Sequence, residues 1–109
     1  EDEMEKVYEQ TMLFDFYGDL LTDKQKDICR MHLTEDLSLG EIAETQGISR
    51  QGVYDTLRRA QEVLEYYESK LHMVRRFLEI SRKVAELPAL AEQGQLTNGV
   101  QEIQKLLSM

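Results

Sequence analysis

Between Ser38 and Ala60 the chain reads SLGEIAETQGISRQGVYDTLRRA, and local chemistry leaves this stretch few ways to fold. Ser38 followed three residues later by Glu41 is a capping box: the hydroxyl takes an orphan amide, and the carboxylate reaches back to the cap amide. The short helix that follows turns Leu39, Ile42 and Ala43 toward a core. Ala43 is small where a second helix must cross closely. Gly47 ends the helix, because a tight turn needs a residue tolerant of positive φ. Ile48 plugs the turn and Ser49 caps a second helix. Val53 and Leu57 share its inner face at i, i+4. This is a helix-turn-helix, the bihelical unit that most often lays its second helix in a DNA major groove.

The outward face of that second helix carries Arg50, Gln51, Tyr54, Asp55 and Arg58, with Arg59 beside them. Such groups hydrogen-bond base edges or phosphates, although Asp55 places a negative charge on this face. A purely structural pair of helices would also show a polar outer face. The alanine–glycine–serine spacing is what favours nucleic acid, DNA or RNA. Gly52 is a local oddity, since glycine inside a helix costs about 1 kcal/mol relative to alanine. A first-turn position tolerates it, and it would also let a phosphate approach the backbone.

The net charge of −8 is unevenly spread. Residues 1–48 hold thirteen acids and four bases, whereas residues 49–109 hold eight acids and nine bases. Basic charge therefore begins where the proposed reading helix begins. The acidic half repels a polyanion, although salt screens that repulsion beyond about 8–10 Å. Modest affinity, or binding by two copies, is expected. No apolar run approaches the roughly 20 residues of a membrane span, and no secretory signal pattern is visible. A single cysteine, Cys29, cannot close an internal disulfide and reads as a buried thiol. A cytoplasmic location is expected.

Apolar residues recur at Val53, Leu57, Ala60, Leu64, Tyr67, Leu71, Val74 and Leu78, alternating four and three apart. That is a heptad seam. It predicts one helix running to about Leu87, roughly 55 Å long. Leu64, Tyr67, Leu71, Val74 and Leu78 are the expected dimer seam. The alternative is that neighbouring helices of the same chain cover it. Ser81 breaks the seam, and Ile80, Val84 and Leu87 move the stripe around the helix.

Nearly everything else reads helical. A first helix from about Met4 to Gly18 presents Leu13, Phe16 and Tyr17, with Leu20 continuing the stripe, and Phe14 and Leu21 widen it. Thr22 with Gln25 forms a second capping box. The helix it opens turns Ile28, Cys29 and His32 inward. After Pro88 comes a short helical piece from Ala89 to Glu92, then a turn at 93–95. Asn98 caps a last helix bearing Val100, Ile103, Leu106 and Leu107. One all-helical domain over 1–109 is expected, with the helix-turn-helix core in 1–66 and the long-helix continuation and C-terminal helices in 67–109. No zinc motif, phosphate loop, dinucleotide fingerprint or nucleophile–histidine signature is present. The expectation is a protein that is not an enzyme, without cofactor or metal.

Leu20 to Leu64 resembles the fourth conserved region of sigma-70-type factors, a helix-turn-helix that reads the upstream promoter element. The chain is more similar still to the small bacterial YlxM family, through LFDFYGDLLTDKQ (13–25), ISRQGVYDTLRRA (48–60) and YYESKLHM (66–73). This resemblance covers roughly residues 4–78. It implies an all-α, sigma-70 region 4-like helix-turn-helix, a cytosolic setting and a regulatory link to the signal recognition particle pathway. Carried over by position, Arg50, Gln51, Tyr54 and Arg58 would form the nucleic-acid face, with Ser49 as a phosphate contact at the helix amino end. Arg59 would supply a further phosphate or guanine contact. A sigma factor is not implied, because 109 residues are not expected to hold the other sigma regions. The expected partners are DNA or RNA and signal recognition particle components, with a homodimer as the assembly. The alternative is a protein-interaction module that binds those components without reading DNA.

Overall fold

The computed structural model describes residues 3–109, and all regular structure among them is helical. The helices are α1 (Glu3–Tyr17), α2 (Asp23–Leu33), α3 (Leu39–Gln46), α4 (Arg50–Leu71), α5 (Met73–Glu92) and α6 (Leu96–Leu107), with a short 3₁₀ turn at Gly18–Leu20. They fall into two compact units, one ending at Leu71 and one spanning His72–Met109. No helix among the described residues is long and apolar enough to cross a membrane.

Local signals set the helix starts in the first unit. Both capping boxes form. The Thr22 hydroxyl accepts from the Gln25 amide at 3.2 Å, while Gln25 Oε1 accepts from the Thr22 amide at 3.1 Å. Ser38 Oγ accepts from the Glu41 amide at 3.1 Å, and Glu41 Oε1 accepts from the Ser38 amide at 2.9 Å. That amide and the serine hydroxyl hold the Glu41 carboxyl below its ordinary range. Ile28, Ile42, Ala43 and Val53 then meet in a core drawn from α2, α3 and α4. Met31, Leu37, Leu39, Ile48 and Leu57 pack around it.

The aromatic end of α1 closes the unit against α4. Tyr17 is 1% exposed, its ring stacks on Tyr67 with centroids 6.3 Å apart, and its hydroxyl donates to Glu68 at 2.6 Å. Leu13 and Met12 are buried on the same helix, and Leu64 of α4 is 1% exposed. Leu20, expected in this stripe, is 53% exposed instead. The 3₁₀ turn breaks the helical period after Tyr17, so Leu21 takes the inward position. His32 also departs from expectation: Ile28 and Cys29 are buried, but His32 is exposed. It lies on the last turn of α2, one turn beyond the core.

The heptad spacing does not produce one long helix. α4 ends at Leu71 because His72 takes left-handed backbone, with φ 55° and ψ 28°. Histidine is one of the few non-glycine residues enriched in that region, so no glycine or proline marks the break. Of the expected seam, Leu64, Tyr67 and Leu71 therefore belong to α4, and Val74 and Leu78 to α5. Leu64 and Tyr67 already pack inside the chain, whereas Leu71 is 46% exposed.

The second unit is a helical hairpin. α5 passes through Pro88 rather than stopping before it. Proline removes one intrahelical donor and leaves the Val84 carbonyl without it. Both residues are exposed, so water can satisfy that oxygen. Gly94, at φ 73°, turns the chain, and the Gln95 amide donates to the Leu90 carbonyl at 2.7 Å. Gln95, not Asn98, is the cap of α6; Asn98 lies inside the helix and donates to the Gln95 side chain at 3.1 Å. Gly99 is the close approach: a Cβ there would lie 2.7 Å from Leu90 Cδ1 and 2.9 Å from Leu87 Cδ2. Lys83 and Glu102 pair across the hairpin at 2.7 Å.

Candidate nucleic-acid interface

The turn between α3 and α4 is built as its residues require. Gly47 has φ 67° and ψ 34°. A Cβ at Gly47 would meet nothing within 4 Å, so backbone conformation rather than space makes glycine the fitting residue. The Ile48 amide donates to the Ala43 carbonyl at 3.1 Å. Ser49 Oγ accepts from the Gly52 amide at 2.9 Å. A Cβ on Gly52 would lie 3.3 Å from that oxygen and 3.6 Å from Ile48 Cδ1. The glycine thus leaves room for the cap and the plug, which accounts for its place in a first turn.

Val53 and Ala60 are fully buried, and Leu57 packs against the same core. This anchors one side of α4 and turns the other outward. Ser49, Arg50, Gln51, Tyr54, Arg58 and Arg59 are all exposed. They lie within the first three turns of α4 and its cap, so the residues named from sequence come together on one exposed segment.

The polar groups are not equally free. Gln51 Nε2 donates to Asp55 Oδ1 at 3.0 Å, and Arg58 Nη1 lies 3.6 Å from Glu62 Oε2. Both are i, i+4 pairs, worth only about 0.2–0.5 kcal/mol on an exposed helix. A phosphate can displace such a partner. Arg50 folds back over the first turn of α3, where a Cβ on Gly40 would lie 2.9 Å from its Nη2. Neither Arg50 nor Arg59 has a carboxylate partner among the described residues. Between Ser49 and Ala60 three arginines face one acid, Asp55.

Beside this surface lies an open groove of about 490 Å³ within the first unit. Cys29, Leu33, Leu39, Leu57 and Leu64 line it, with Tyr54, Arg58 and His32 also contributing. Sequence reasoning missed it, because its lining comes from α1, α2, α3 and α4 and no single segment carries the signal. Burial pushes the Cys29 thiol up to about 11, so it stays protonated and inert as a nucleophile. No group of three His, Cys, Asp or Glu among the described residues is placed to hold a metal ion.

Comparison with known proteins agrees with this geometry. Residues 4–105 match the family described as "Putative helix-turn-helix protein, YlxM / p13 like". The match extends well past residue 78, to which the resemblance was expected to reach. A UPF0122 protein of Thermoanaerobacter sp. (strain X514) is 56% identical over 77 residues, 71% of this chain and 66% of that protein. The chain thus spans just under two thirds of that relative's length. A UPF0122 protein of Acetivibrio thermocellus is 49% identical over 84 residues, 77% of this chain and 72% of the relative. One of Bacillus thuringiensis (strain Al Hakam) is 44% identical over 95 residues, 87% of this chain and 86% of the relative. A fold of helices alone, a capped helix-turn-helix and a match along most of the chain agree: this protein belongs to the YlxM / p13-like helix-turn-helix family.

Proposed function

We propose that the chain is a nucleic-acid-binding regulatory module whose α4 enters the major groove by its amino-terminal half. The observation that carries this reading is the exposed cluster of Arg50, Gln51, Tyr54, Arg58 and Arg59 on a helix whose opposite side is locked into the core. Arg50 and Arg59 neutralise phosphates. Arg58, once released from Glu62, and Gln51, once released from Asp55, reach base edges. Ser49 keeps its hydroxyl proton after accepting from Gly52 and can donate it to a phosphate at the helix amino end. Two copies would present α4 twice, to half-sites about one helical turn apart. The resemblance to the YlxM family supports a role for this activity in the signal recognition particle pathway.

The test is fluorescence anisotropy with random duplex DNA, duplex RNA and signal recognition particle RNA, each at several salt concentrations. Three or four neutralised phosphates per monomer give a slope of log affinity on log salt of about −3. Arg50→Ala combined with Arg59→Ala should shrink that slope by roughly two. No salt-sensitive binding to any of the three ligands at 50 mM salt overturns the proposal.

A further inference from the structure

The groove within the first unit measures about 490 Å³, inside the roughly 300–1,000 Å³ of small-molecule sites. Its floor is apolar. Cys29 is 3% exposed and Leu64 is 1% exposed, so these two close the bottom. Leu33, Leu39 and Leu57 line the same groove and are only half-buried, so each keeps apolar surface that an occupant can cover. Along α4 the wall is made by Tyr54, Leu57, Gln61 and Leu64, three, four and three residues apart. That stripe is about 15 Å long, enough for a ring and a short chain laid end to end.

The rim has a sign. Glu62 and Glu65 line the groove, and Arg58 is the only lysine or arginine that does. Arg58 Nη1 lies 3.6 Å from Glu62 Oε2, so its charge is already offset. Glu65 Oε2 accepts from the neutral Gln61 amide at 2.9 Å. One negative charge is therefore left over. The rest of the unit adds to it, since residues 1–71 hold seventeen acids and eight bases. An anionic ligand would face two carboxylates and an arginine that is already paired. A cation enters a field of the opposite sign. Glu62 and Glu65 are i, i+3 neighbours on the helix surface, close enough for the three donors of one ammonium group to reach both.

We infer that the groove binds a small organic cation: an amine carried on an apolar aryl or alkyl body. The body lies on Leu33, Leu39 and Leu57, and the ammonium sits between Glu62 and Glu65. Arg58 belongs both to this groove and to the exposed set on α4, so the site also regulates the proposed activity, a consequence that rests on the nucleic-acid reading. An ammonium that takes Glu62 releases Arg58 for a phosphate or a base. Ligand and nucleic acid then strengthen each other by the same factor. The exposed i, i+4 pair that is released is weak, which sets that factor at about twofold.

The site is tested first without nucleic acid. Amide proton–nitrogen spectra of the full chain are recorded during titration with phenylbutylamine and with phenylbutyrate, which share an apolar body and differ in charge. The amine should shift the amides of Leu39, Leu57 and Gln61, with a dissociation constant in the millimolar range expected for so small a ligand. The acid should bind roughly tenfold more weakly, because two carboxylates oppose it. Methylamine, which lacks the body, should give no shift at the same concentration. Glu62→Gln combined with Glu65→Gln alters only exposed side chains and should erase the preference for the amine. Anisotropy with duplex DNA then reads the coupling. Phenylbutylamine should raise the affinity of the parent chain about twofold and leave that of Glu62→Gln unchanged, with methylamine as the salt control. A groove that takes neither ligand overturns the inference, as does one that prefers the acid. So do shifts confined to residues 72–109, or amine affinity that is unchanged in the double variant. A fall in DNA affinity on adding the amine overturns the coupling. Amine binding in the groove by a chain that binds no nucleic acid supports the site and overturns the nucleic-acid reading alone.

Discussion

Gln51 donates to Asp55 at 3.0 Å on the exposed side of α4, so the helix that would read nucleic acid carries its own competitor. Asp55 both occupies the amide and adds a negative charge beside three arginines. Asp55→Asn removes the charge and keeps the side-chain shape. One charge about 4 Å from a phosphate is worth roughly 1 kcal/mol in water. Affinity for duplex should rise about fivefold at 50 mM salt and by less at 200 mM. Anisotropy titrations at both salts check this; an unchanged or weaker affinity would place nucleic acid elsewhere on the protein.

The turn that orients α4 depends on Gly47. Its φ is positive and a Cβ there would have open space around it, so the cost of substitution is a backbone cost. Gly47→Ala should destabilise the protein by about 1–2 kcal/mol. Gly47→Asn should cost less, since asparagine tolerates this region. Urea unfolding followed by far-ultraviolet dichroism gives both values.

Tyr17 ties α1 to α4 through a ring stacked on Tyr67 and a hydroxyl on Glu68. Tyr17→Phe keeps the ring and loses a hydrogen bond to a charged group, an expected loss of about 1.5–3 kcal/mol. Tyr17→Ala also leaves a cavity and should cost about 3–5 kcal/mol. If the two variants cost the same, the ring is not packed as described.

The Cys29 thiol offers a probe of opening. It is 3% exposed and burial raises it to about 11. At pH 8 an aromatic disulfide reagent should react far more slowly than with a free thiol, and urea should restore the full rate. Fast labelling of the native protein would mean that α2 does not pack against its neighbours.

Acid should weaken the cap of α3. The folded Glu41 carboxyl lies below its ordinary 4.5 because the Ser38 amide and hydroxyl bond the charged form. A group depressed on folding contributes stability above the unfolded value and loses it as pH falls through the folded value. Thermal unfolding from pH 6 to pH 3 should therefore show a steeper decline for the parent chain than for Glu41→Gln. Equal declines would remove Glu41 from the acid response.

The helix-turn-helix was legible in sequence because its signals are local. Ser38 with Glu41, Gly47 at the turn and Ser49 at the cap of α4 each act within three or four residues, and all form as read. The outward set from Arg50 to Arg59 follows from the same logic, since fixing Val53 and Ala60 inward by helical period fixes what points out. The far end of α4 was not local. A heptad pattern records which side of a helix is apolar but not what covers it. Only the tertiary structure places Tyr17 against Tyr67 and buries Leu64 inside one chain. It also decides the left-handed turn at His72, which no glycine or proline announces and which splits the stripe into α4 and α5. Caps and turns are written in neighbouring residues; the partner of an apolar face is chosen by residues far away in the chain.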